Sequence, residues 1–235
     1  MVGGAGYVAD LFVPLLAERH DVRILDPRPR RDGRDQVVGD ATDPQALARA
    51  LPGVDAVVHC AMGADNPTLA AAAQAFDVNV TSVHLTLATA HRFGVRHAVH
   101  ISSLSVFDDV TGRRVREDDE PDAVDPYGLT KRLGEQVCQA AVRRFGLSVT
   151  VLRLAWPTPD DVWPAWGRSD PPRLWYTPDG TPIQGTAGSD VARAVLAALE
   201  HRNGFDVFHI CGDRSAGLWS TAKARAVLGW APTYG

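Results

Sequence analysis

The chain has 235 residues, 45% of them hydrophobic and 22% charged, with a formal net charge of −4. That length suits one large domain or a domain with a small appendage, and the acidic balance argues against nucleic acid or an anionic membrane as partner. Three cysteines (Cys60, Cys138, Cys211) match no metal spacing and predict a reduced, cytoplasmic setting, while no run approaches ~20 apolar residues and no leader-like start is present.

The chain opens on Met1-Val2-Gly3-Gly4-Ala5-Gly6-Tyr7-Val8-Ala9, after which apolar residues recur at Val8, Leu11, Leu15 and Leu16. This predicts a Gly-rich turn entering a helix, a geometry that offers backbone N–H groups to a pyrophosphate. Asp21 to Asp26 reads as a short strand ending in a carboxylate, about 20 positions after the turn. At that spacing an acidic side chain accepts from the adenosine ribose hydroxyls and repels a 2′-phosphate, which favours NAD. Arg28, Arg30 and Arg31 lie close enough to leave NADP open. Gln36 to Asp40 reads as another strand, with Asp40 in reach of the adenine edge. Val54 to Ala61 is a further one, apolar enough to be buried on both faces.

A helical region is expected over about Pro67 to Phe93, then a strand from His97 to Ser103. His84, His91, His97 and His100 have no metal-ligand spacing and read as surface or packing residues. Gly112 to Asp125 is acidic and punctuated by prolines, a surface loop delivering the chain to Tyr127. From there Leu129, Leu133, Val137 and Ala141 predict an amphipathic helix with one buried stripe. Tyr127 and Lys131 stand one turn apart on one face, and an ammonium beside a phenol favours the phenolate. Such a pair makes a proton donor and acceptor near neutral pH. Leu147 to Leu154 reads as the next strand.

Beyond residue 154 the character changes. Trp156, Trp163, Trp166, Trp175 and Tyr176 fall in a stretch rich in Pro and Asp, which predicts a folded-over loop. Its aromatics either line a substrate pocket or fasten the lid, and both readings stay open. Arg153, Arg168 and Arg173 are candidates for gripping a substrate carboxylate or phosphate. Ser189 to Glu200 reads as a helix opening on a Ser-Asp cap, Val207 to Ile210 as a strand, and Thr221 to Leu228 as a helix stopped by Gly229. The alternation of strands and helices predicts an α/β fold, a Rossmann-type doubly wound parallel sheet. The division expected is a cofactor domain over 1–154 and a small, interleaved substrate-binding part over 155–235.

With these residues in place, the chain resembles the extended short-chain dehydrogenase/reductase superfamily, and within it the NAD-dependent epimerase/dehydratase family. Gly3 to Ala9 resembles its T-G-G-x-G-x-x-G turn, Gly39-Asp40-Ala41 its G-D motif, and His59-Cys60-Ala61-Met62 its H-x-A-A. Asn79-Val80 is similar to the start of N-V-x-G-T. Ile101-Ser102-Ser103 with Val106-Phe107 is similar to S-S-x-x-V-Y, followed by Tyr127 and Lys131. Ser189 to Ala194 and Leu228 to Pro232 resemble signatures near the C-terminus.

The resemblance implies hydride transfer at a nicotinamide, with Ser103, Tyr127 and Lys131 catalytic. It places the cofactor against Gly3, Gly6, Tyr7, Val8, Asp26, Asp40, Ala41, Ala61, Asn79 and Lys131. It implies a substrate between Ser103, Tyr127 and the three arginines, and a homodimer through the helices carrying Asn79 and Tyr127. The substrate it suggests is a sugar or similar small polar molecule, with a uronate favoured by the compact C-terminal part and by Gly217-Leu218-Trp219. The alternatives are a nucleotide-sugar epimerase and a non-catalytic NAD(P)-binding regulator. One departure is marked. The family's first strand is missing, since only Met1 and Val2 precede the glycines; a gap beside the Gly turn is expected, from a start placed too far downstream or a truncated chain.

Overall fold

A computed structural model describes residues 1–63, 68–214 and 217–234. Its centre is a parallel sheet of short, mostly buried strands. β1 (Ile24–Asp26) pairs with β2 (Gln36–Val38), and β3 (Ala56–His59), β4 (His97–Ser103), β5 (Ser148–Leu154) and β10 (Phe205–Ile210) pair in that order.

The expected gap beside the Gly turn is filled. Met1-Val2 lies between β1 and β3, with Val2 bridging both Leu25 and His59. Val2 N donates to Val58 O and Cys60 N to Val2 O, while Leu25 N donates to Met1 O and Gly3 N to Leu25 O, at 2.8–2.9 Å. Two residues thus hold the place of the first strand, at the end of the sheet where the Gly turn begins.

Helices cover both faces. On one side α1 (Tyr7–Leu16) and α6 (Gly188–Glu200) bury Phe12, Val13, Val191 and Val195 against Ile24, Val99, Leu152 and Phe208. On the other, α2 (Pro44–Ala50), α4 (Ser82–Arg92) and α5 (Pro126–Phe145) bury Leu47, Leu87 and Cys138 against Val57, Ala98 and Val151. α3 (Leu69–Phe76) runs into α4 through a π-helical turn at Asp77–Thr81. This is the helical stretch expected from Pro67 onward; Pro67 itself lies outside the described residues.

Two local expectations change. In α5 the buried stripe carries Lys131, Glu135, Cys138 and Ala141, whereas Leu129, Leu133 and Val137 are only half-buried. The polar side of this helix turns inward because its charged groups have partners in the sheet. α6 has no Ser-Asp cap. Ala187 occupies the cap position, and Asp160 of the loop accepts from Ser189 N instead. Asp190 is buried and pins the last residues, accepting from Thr233 N, Thr233 Oγ1 and Tyr234 N. β10 belongs to the main sheet, paired with β5 along Phe205 to Ile210. The loop after β5 carries only two-residue strands: β6 (Pro157–Thr158), β7 (Trp175–Tyr176), β8 (Pro182–Ile183) and β9 (Thr186–Ala187).

Candidate active site

The Gly turn is shaped by its neighbours. Gly3 has φ +79°, and a Cβ there would stand 2.4 Å from both N and Cα of Ala61. Only glycine can hold the backbone that close to the loop leaving β3. Gly6 caps α1 with no side-chain bond, so the N–H groups of the first turn face outward toward any anion that enters. Asp26 ends β1 and is 3% exposed. Its carboxylate accepts from Ala5 N and Arg28 N, each at 2.9 Å, which fixes it at the floor of a crevice.

That crevice, a cavity of about 410 Å³, is lined by Gly3, Gly6, Tyr7, Val8, Asp26, Asp40, Ala41 and Ala61 among others. Eight of the positions expected to hold the cofactor therefore meet in one place. The fit is chemical as well as spatial: unpaired helix N–H groups suit a pyrophosphate, and a buried carboxylate suits ribose hydroxyls. Of the three nearby arginines only Arg28 lines the crevice. Arg30 is bound to Gly4 O, Asp10 and Asp32.

A second cavity of about 220 Å³ adjoins the first, sharing Tyr7, Val8, Cys60, Met62 and Arg168. Ser103, Tyr127 and Lys131 line it together. Each is placed by its element. Asp125 caps α5, accepting from Tyr127 N and Gly128 N at 3.0 Å, and Pro126 opens the helix. Lys131 is 4% exposed, donates to Ile101 O at 3.1 Å and sits 5.9 Å from the centre of the Tyr127 ring. Ser103 ends β4, and its Oγ lies 3.1 Å from Ser105 Oγ.

Behind Lys131 lie two buried imidazoles, His59 on β3 and His100 on β4, with ring centres 5.3 Å apart. Burial, and then the Lys131 charge, pull His59 down to about 3; burial and the charges of His59 and Lys131 pull His100 well below the usual value. Both are neutral at physiological pH, leaving Lys131 as the cation of this corner.

Three expected site residues stand elsewhere. Asn79 lines neither cavity; its Oδ1 accepts from Gly63 N at 3.0 Å and its Nδ2 donates to Thr130 Oγ1 at 2.9 Å. It clips the loop after β3 to α5. Arg153 is buried in a forked pair with Glu135 (3.0 and 2.7 Å), which also accepts from Ser102 Oγ at 2.6 Å. Arg173 lines neither cavity and its backbone pairs with Trp166. Arg168 is the candidate arginine that reaches the site. Ser105 also lines this cavity, and its one signal in the sequence is its position two residues after Ser103.

A parallel sheet whose Gly turn and strand-end carboxylate open onto a Tyr–Lys helix defines a class, the dinucleotide-binding short-chain dehydrogenase fold. Within it, residues 1–157 match the NAD dependent epimerase/dehydratase family, and the chain belongs to that family. The chain is 31% identical over 176 residues to an L-arabinose 1-dehydrogenase (NAD(P)(+)) of Haloferax volcanii, covering 69% of this chain and 68% of that one. It spans only 39% of the length of another curated relative, an uncharacterized protein of Sinorhizobium fredii. Among solved structures, a short-chain dehydrogenase/reductase superfamily protein from Agrobacterium tumefaciens with bound NAD superposes with a TM-score of 0.83 at 24% identity, over 100% of this chain and 92% of that one. Uronate dehydrogenase from the same organism gives 0.79 at 19% identity, over 99% and 82%. These two likenesses carry the fold.

Proposed function

We propose that the protein is an NAD-dependent oxidoreductase acting on a hydroxyl or carbonyl of a small, single-ring substrate. The observation that carries this reading is the shared wall between the two cavities, which sets Ser103, Tyr127 and Lys131 against a crevice built for a dinucleotide. When bound, the cofactor would supply or accept the hydride. Tyr127 exchanges a proton with the substrate oxygen, and Ser103 Oγ holds that oxygen in place. Lys131, anchored on Ile101 O, keeps further N–H groups for the nicotinamide ribose. Asp26 favours NAD over NADP. A nucleotide-sugar epimerase would turn over without net NADH formation, which separates that alternative.

In this reading residues 1–154 hold the cofactor, and the segments after 154 that close over Tyr127 meet the substrate. The half-buried stripe Leu129, Leu133 and Val137 supports a homodimer through α4 and α5. The free cysteines agree with a cytoplasmic setting; among the described residues no helix is long and apolar enough to cross a membrane.

The test is NADH formation and consumption across a panel of free sugars, uronates and cyclic alcohols and ketones. Tyr127→Phe is expected to lower kcat by roughly 10²–10⁴ with NAD affinity kept. If wild type and Tyr127→Phe are equally idle on the whole panel while both bind NAD, the protein is a binding module and not an oxidoreductase.

A further inference from the structure

The cavity beside Tyr127 has a chemical bias that hydride transfer does not require. Among the described residues, no Asp, Glu, Asn, Gln or His lines it. Of its serines, Ser102 is turned away into the Glu135 pair, leaving Ser103 and Ser105. The phenol of Tyr7 donates to Pro157 O, which leaves its oxygen as one of the few acceptors. The remaining polar groups on the wall, apart from Tyr127 and the Cys60 thiol, are pure donors: Lys131, Arg168, Trp156 and Trp166.

Five of the six tryptophans, all but the exposed Trp175, divide by what their indole N–H does. Trp163, Trp219 and Trp230 donate to Gly185 O, Val110 O and Asp190 O, fastening the chain to itself. Among the described residues, the N–H groups of the half-buried Trp156 and Trp166 have no acceptor, and the exposed Arg168 guanidinium has neither a hydrogen bond nor an ion pair. Trp156 is held at φ +38°, a left-handed backbone that a bulky residue rarely adopts, costing about 1–3 kcal/mol. Its ring is backed by Trp219 at 5.4 Å.

A ring rich in hydroxyls brings one donor with each, and every donor buried without an acceptor costs about 1–3 kcal/mol. This wall has few acceptors to give. Carbonyl and carboxylate oxygens, by contrast, only accept, and a flat ring stacks well on indole. At about 220 Å³ the space admits one ring; sites for drug-sized ligands run to roughly 300–1,000 Å³.

We infer that the substrate is a flat, single-ring oxo acid poor in hydroxyls, or the matching hydroxy acid, held by the indole N–H groups of Trp156 and Trp166 and by Arg168. This rests on the oxidoreductase reading. In the reductive direction the ketone carbon gains a hydride from NADH and its oxygen gains the Tyr127 proton, giving the alcohol and NAD⁺; solvent then returns a proton to Tyr127.

The test compares two carboxylates of similar ring size, cyclohexenone carboxylate and galacturonate. Binding is measured by calorimetry to the Tyr127→Phe protein saturated with NAD, so that turnover does not intrude. The cyclohexenone acid is expected to bind about tenfold or more tightly than galacturonate, the worth of one hydrogen bond to a charged group. Adding Trp166→Phe, which keeps a ring and loses the N–H, should weaken the cyclohexenone acid about tenfold and galacturonate little, with NAD affinity as the folding control. Equal or tighter binding of galacturonate, no binding of either ring, or an equal loss for both in the double variant overturns the inference. Failure of the oxidoreductase reading shows separately, as wild type that binds the cyclohexenone acid and never oxidises NADH with it.

Discussion

Gly3 and Asp26 govern the cofactor crevice one atom at a time. A methyl group on Gly3 would meet the Ala61 backbone at 2.4 Å, on a residue already at φ +79°. Gly3→Ala is therefore expected to cost about 1–3 kcal/mol in urea unfolding and to abolish measurable NAD binding by calorimetry. Asp26→Asn removes the charge that opposes a 2′-phosphate and gives up one of the two backbone hydrogen bonds the carboxylate accepts. Its ratio of kcat/KM for NADP over NAD should rise about tenfold or more, with Arg28 already beside the site. A ratio unchanged from wild type would mean that the carboxylate does not face the ribose. Residues of this kind were legible in the sequence because one backbone turn and one strand end fix them locally. The partners of Asn79 and Arg153 were not legible, because motif position names a residue and leaves open which long-range partner claims its polar atoms. For Asn79 the claimants are Gly63 and Thr130, and for Arg153 it is Glu135.

At the scale of elements, α5 joins two tasks. One end presents Tyr127 and Lys131, and the next turn sends Glu135 into the sheet to meet Ser102 of β4 and Arg153 of β5. Arg153 and Glu135 are 2% and 5% exposed, so removing one partner strands a buried charge. Arg153→Met is expected to destabilise by about 3–5 kcal/mol, and Arg153→Met with Glu135→Met to regain much of that loss. Urea unfolding of both variants checks this, and a double variant no better than the single one would deny the coupling. The helix was legible from its apolar spacing, yet the inward face is rotated from that stripe and shares only Ala141 and the edge of Val137 with it. Leu129 and Val137 follow the rule for a buried stripe, while the ion pair with Arg153 turns the side carrying Lys131 and Glu135 inward. The lid after β5 was legible only as irregular, since its two-residue strands give no periodicity to read.

For the whole molecule, the sheet buries imidazoles it keeps neutral. Burial, and then nearby cations, hold His59 and His209 at about 3, against 6.5 when free. The unfolded chain takes up protons that the folded state refuses. Their contribution to stability is complete above about pH 6.5 and is lost as pH falls from there toward 3, at up to ~1.4 kcal/mol per pH unit for each group. Thermal melts should show Tm falling on the acid side of pH 6. His209 has no hydrogen-bond partner on either ring nitrogen, so His209→Leu should flatten that fall without unpairing another group. An acid limb of unchanged slope in that variant would remove His209 from the account.

The link at Met1-Val2 has a further consequence. β1 and β2 are joined to β3 and the rest of the sheet through this one narrow seam of backbone bonds. A dinucleotide lying across Gly3, Asp26 and Ala61 would touch both sides of the seam at once, acting as a rivet. Amide hydrogen exchange at Gly3, Leu25 and Cys60 should then be the fastest in the sheet interior without cofactor. It should slow with added NAD by the factor that ligand linkage prescribes, 1 + [NAD]/Kd.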